Sequence, residues 1–189
     1  MEPNEEKEIF TISALTENKS GLLNAVTIIF TRRKMNIEAI NVSETEVAGV
    51  SRFTILVKET HSRAEQVVKQ INKLVEVLGA FLYRDDEVYY QEIALFKMDT
   101  AAFLDNNTIE GMVRNNGARI LVIEKDHIII EKTGHRQEIR DLRDSLEPYG
   151  LLEYVRSGRI AISKSKRKTD VFLKELEKTN YFEKENNHK

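Results

Sequence analysis

Two asparagines and a glycine carry the most specific chemistry in this chain. Asn18, Lys19, Ser20 and Gly21 lie between an apolar alternating run that ends at Leu15 and a helical run that starts at Leu22. The first N–H groups of a helix lack internal partners and carry partial positive charge, so they suit a carboxylate. Gly21 has no Cβ, so it accepts positive φ and lets a ligand or another backbone come close. Asn18 offers a carboxamide that both donates and accepts. Such groups could hold the two charged ends of an amino acid. The competing reading is that Asn18 and Ser20 only cap the helix. Asn36 follows 18 residues later, where turn chemistry after a helix is the alternative.

Hydrophobic patterning defines the elements that position these residues. Phe10, Ile12 and Ala14 share one face at period two, which predicts a strand over residues 8–15. Leu22, Leu23, Val26, Ile29 and Phe30 then fall on one helical face. Strands are predicted over 36–45 and 50–58, followed by a helix from Ser62, with Glu65 completing a capping box, and a strand over 75–83. The same order recurs: a strand over 88–98, a weaker helix around Ile109, Met112 and Val113, a hairpin of 118–124 and 127–133, a helix through Ile139, Leu142 and Leu146, and a last strand over 151–163. The chain therefore reads as α+β, two tandem ferredoxin-like βαββαβ units with antiparallel sheets and helices on one face. The expected segments are an acidic extension over 1–7, a first domain over 8–84, a second over 85–163, and a charged, partly disordered tail over 164–189.

Several function classes lack their residues. The 189-residue chain has eight glycines, none closer together than Gly111 and Gly117, so it holds neither a dinucleotide turn nor a Walker loop. His61, His127, His135 and His188 have no metal-ligand spacing, and surface roles suit them better. Asp85 and Asp86 read as a solvated linker. There is no cysteine, which fits a reducing compartment. A net charge of −2 is poor for wrapping a phosphate backbone, and no apolar run is long enough for a membrane span. The acidic N-terminus is not a secretory signal. No catalytic constellation is evident, so a non-catalytic role is expected, and the lack of cysteine leads us to expect a cytoplasmic location.

The stretch LTENKSGLLNAVTIIFTRRKMNIEAINV resembles the first half of an ACT domain, a small-molecule-sensing βαββαβ module. With SRFTI, INKLVEVLGAFL, QEIALFKM and EYVRSGRIAIS, residues 8–165 resemble the small regulatory subunits of acetohydroxyacid synthase (acetolactate synthase). The resemblance implies a regulator that activates a large catalytic subunit and confers feedback inhibition, usually by valine, in branched-chain amino acid biosynthesis. Thiamine diphosphate, magnesium and FAD are then expected in that partner and no cofactor in this chain. It further implies a homodimer through the ACT domains with the effector at their interface. Asn18, Lys19, Ser20 and Gly21 fall on the effector loop, and Asn36 on the position contributed by the neighbouring protomer. The N–H groups near Gly21 and Leu22 would receive the effector carboxylate, the Asn36 carbonyl its ammonium, and Leu22, Leu23 and Ile37 would line an apolar pocket. Valine differs from leucine or isoleucine by one methylene, worth about 1–3 kcal/mol, so the choice among them stays open.

Two rival readings share the topology. One is an ACT regulator of another amino-acid biosynthetic enzyme. The other is an RNA-binding module with Phe10 and Phe53 stacking bases on an open sheet, although the charge balance and the third strand both disfavour it.

Overall fold

Alternation at period two builds the first strand, β1 (Glu8–Glu17), whose Phe10, Ile12 and Ala14 are fully buried. The computed structural model describes residues 6–104, 107–166, 169 and 171–175. Helix α1 (Leu22–Arg32) buries Leu22, Val26, Ile29 and Phe30, the stripe expected from their spacing. Strands β2 (Ala39–Glu44) and β3 (Val50–Glu59), helix α2 (His61–Ile71) and strand β4 (Val77–Tyr83) complete a first βαββαβ set. Its antiparallel sheet has the order β2-β3-β1-β4, and its core gathers α1 and α2 side chains on one face. Phe10 and Phe53 lie inside this core, 0% and 3% exposed, so neither can stack on a base.

The second set repeats the plan with β5 (Val88–Asp99), α3 (Thr100–Leu104), α4 (Asn107–Asn115), β6 (Arg119–Ile123), β7 (His127–Gly134), α5 (Arg136–Leu146) and β8 (Leu151–Arg156). Its order is β6-β7-β5-β8, and Phe96, Met98, Ile128, Ile130, Ile139 and Leu142 are fully buried in its core. The fold class is thus two ferredoxin-like units with helices on one face of each sheet. Buried Glu92 pairs with Arg156 and lies 3.6 Å from Arg136 Nε.

Three local expectations are corrected. The last strand is not continuous over 151–163, because it breaks into β8 and β9 (Ile160–Ser163), both on β5. Ser157 causes the break: its N–H donates to Ile93 O at 2.8 Å and its hydroxyl accepts from Ile93 N–H at 3.0 Å. Ser62 and Glu65 form no capping box, since α2 starts at His61 after Thr60 with no side-chain cap, and Glu65 faces Lys69 at 3.4 Å. The weaker helix of the second unit is α4, and the short helix α3 precedes it. The segment after Ser163 is not wholly solvated: residues 171–175 are helical, and Leu173 is buried with Leu15 and Val50.

The described residues form two compact units, one within 1–89 and 161–189, the other within 90–160. The N-terminal extension through residue 5, His188 and the tail from residue 176 lie outside the described residues. No helix among the described residues is long and apolar enough to cross a membrane.

Candidate functional site

The loop of residues 18–21 is fastened at its base by backbone. Glu17 N–H donates to Glu76 O and Asn18 N–H to Gly49 O, both at 2.9 Å. Gly21 then takes φ of 84°, a left-handed conformation that L side chains rarely adopt, and stands at the N-cap of α1. No side chain caps the helix. The capping alternative for Asn18 and Ser20 is therefore not what the structure contains. Asn18 Nδ2 donates instead to Glu44 Oε1 at 2.9 Å. The first intrahelical bond runs from Ala25 N–H to Gly21 O at 3.1 Å. The N–H groups of Leu22, Leu23 and Asn24 precede it and point out of the helix mouth.

The loop is open, and its lysine is ion-paired. A Cβ on Gly21 would meet nothing within 4 Å. Lys19 Nζ lies 2.5 Å from Glu17 Oε2, and this hydrogen bond, followed by the charge attraction, raises the Lys19 pKa above its ordinary value. The ammonium therefore stays charged at neutral pH beside the helix N-terminus. Leu23 is exposed and Ile37 half-buried, so both can meet a ligand. Leu22 cannot: its side chain belongs to the core, and it offers the loop only its N–H.

Asn36 stands at the other end of α1. The helix terminates in a Schellman arrangement, with Met35 N–H donating to Phe30 O at 3.0 Å and Lys34 N–H to Thr31 O at 3.0 Å. The left-handed residue is Lys34, φ 51°, so Asn36 is not the helix-ending turn residue of the alternative reading. Its exposed side chain donates to Glu38 Oε1 at 3.1 Å. Eleven residues of helix place Gly21 and Asn36 about 16 Å apart along α1. One chain thus does not bring the expected site residues together.

Sequence reasoning missed two residues beside the loop. Thr16 is fully buried, and its Oγ1 has no hydrogen-bond partner among the described residues. Its even position on β1, shared with Ala14, could have flagged a polar group turned toward the helices. Glu44 was read only as strand, yet its carboxylate holds Asn18. Among the described residues, no group of three or more His, Cys, Asp or Glu side chains could hold a metal ion.

Comparison with known proteins adds a second line. Residues 12–79 match the family described as AHAS small subunit-like ACT domain, and residues 91–165 match the small subunit of acetolactate synthase. An acetolactate synthase small subunit from Bacillus subtilis (strain 168) is 36% identical over 159 residues, which cover 84% of this chain and 91% of that protein. A probable acetolactate synthase small subunit from Archaeoglobus fulgidus is 34% identical over 158 residues, covering 84% and 98%. The crystal structure of the acetolactate synthase small subunit from Thermotoga maritima superposes with a TM-score of 0.76 at 30% identity, covering 85% of this chain and 99% of that one.

Proposed function

The chain belongs to the family of acetolactate synthase small subunits, and from that premise we propose that it activates a separate catalytic subunit and makes it sensitive to valine or another branched-chain amino acid. The observation that carries the reading is the uncapped, left-handed entry to α1 at Gly21, set a helix length away from Asn36. An amino acid is far too short to touch both within one chain. Two chains placed side by side would bring Asn36 of one to the helix mouth of the other. The half-buried to exposed strand β2 at the sheet edge supports such pairing, as do exposed Leu23, Ile28 and Val42.

In this reading the N–H groups of Leu22 and Leu23 take the effector carboxylate, and Lys19 adds positive potential. The Asn36 carbonyl of the second chain takes the ammonium, and Leu23 and Ile37 meet the branched side chain. The chemistry itself would belong to the catalytic partner, with thiamine diphosphate, magnesium and FAD bound there, in the cytoplasm. A regulator of another amino-acid enzyme is the weaker reading, because both halves of this chain match the same family.

Calorimetry of the purified chain against valine, leucine and isoleucine tests the site. Asn36→Ala should keep the fold and weaken the preferred ligand by about 1.5–3 kcal/mol, the range for a hydrogen bond to a charged group. Unchanged affinity in a folded variant of the same oligomeric state would refute the role of Asn36.

A further inference from the structure

The first unit also holds a cavity of about 210 Å³ on the face of its sheet opposite α1. Its floor is sheet, with Ser13, Arg52, Phe81 and Tyr83, and its roof comes from Ile162, Ser163, Ser165, Thr169 and Phe172. Phe172 closes against Phe81 with ring centroids 5.0 Å apart, and next to it Leu173 is buried over Leu15 and Val50. Thr169 and Phe172 lie beyond the residues that match the family. The roof is thus partly a feature of this chain.

Arg52 is the only charged residue among the described residues lining the cavity. Its Nε is buried and has no hydrogen-bond partner among the described residues. A buried, unsatisfied guanidinium nitrogen requires an acceptor. The Nε and Nη edge of arginine is a planar fork that fits a carboxylate with two parallel bonds. Hydroxyls of Ser13 and Ser163 also line the cavity, with the rings of Phe81, Tyr83 and Phe172 and the apolar side chains of Leu15, Val88 and Ile162. Among the described residues, no acidic side chain lines the cavity to receive an ammonium, which separates this chemistry from that of the loop at Gly21. The volume is below the roughly 300–1,000 Å³ typical of sites for drug-sized ligands, so the occupant is small.

We propose that this cavity binds a small monocarboxylate with an apolar body, its carboxylate on Arg52 and its body between Phe81 and Phe172, and that the ligand fastens the roof segment to the sheet. Phenylacetate and isovalerate are suitable probes, and their uncharged amides keep the shape without the charge. With the full-length chain, either acid should shift the Arg52 Nε–H resonance in NMR spectra and slow tryptic cleavage at Lys164, Lys166 and Lys174. The amides should do neither. Arg52→Gln should weaken binding of the acid by about tenfold or more. Asn36→Ala should leave it intact, so this cavity and the loop at Gly21 fail or stand separately. The proposal is overturned if neither acid moves Arg52 at millimolar concentration, if the amides act equally, or if binding survives Arg52→Gln. Should that variant not fold, the contrast between acid and amide at Arg52 of the unaltered chain decides.

Discussion

Asn18, Gly21 and Asn36 show how far residue types alone can be read. The glycine was legible because a left-handed turn at a helix mouth favours it, and φ of 84° is what the structure contains. Asn18 was ambiguous, since one carboxamide suits a cap and a ligand equally; the helix has no side-chain cap, and Asn18 donates to Glu44 instead. Asn36 was ambiguous for a different reason. Helix-ending turns favour Gly and Asn in the left-handed position, yet Lys34 occupies it here. Leu22 was misplaced because a residue at a helix start can serve either the core or the site, and periodicity does not separate the two. A further residue-scale expectation concerns pH. Arg119 Nη2 donates to Glu131 Oε2 at 2.6 Å, and this bond holds the Glu131 carboxyl below its ordinary value of 4.5. A carboxyl with a depressed folded pKa contributes stability above its unfolded value and loses it as pH falls through the folded one. Arg119→Gln should therefore lower the melting temperature at neutral pH, and the gap to the unaltered chain should narrow as pH drops below 4.5. A gap that is constant across a melting series in pH would contradict this pairing.

The elements were largely legible because period two and period 3.6 alternate cleanly along the chain. Errors fall where a tertiary bond decides. Ser157 interrupts the final strand through a bond to Ile93, 64 residues away, which no local pattern reveals. The segment after Ser163 is charge-rich and reads as solvated, and the apolar partners of Leu173 are Leu15 and Val50, far away in sequence. That contact makes an element-scale prediction. Leu173→Ala should destabilise the first unit by about 2 kcal/mol, the low end for a leucine truncation at a site of 8% exposure. Urea unfolding of the full chain measures it, and an unchanged midpoint would show that the segment contributes nothing to the sheet. A fragment ending at Arg84 loses the same contact, so it should unfold at lower urea than the first unit does in the intact chain.

On the scale of the whole molecule, each unit closes its own core, and no catalytic constellation emerged from the sequence. In the proposed regulatory role, the effector acts by differential binding. An effector that binds two states of an assembly equally shifts neither. On the proposed reading, the branched-chain effector favours the less active state of the complex with the catalytic subunit, with a coupling on the order of 1–3 kcal/mol, about 5- to 150-fold. The most direct measurement is acetolactate formation from pyruvate by purified catalytic subunit, supplied with its cofactors, alone and after addition of this chain, each with and without valine, leucine or isoleucine. The chain alone should form no acetolactate. Its addition should raise the rate of the catalytic subunit, and one of the three amino acids should lower that rate only when the chain is present. A rate unaffected by the chain, or an inhibition equal in its absence, would contradict the regulatory role.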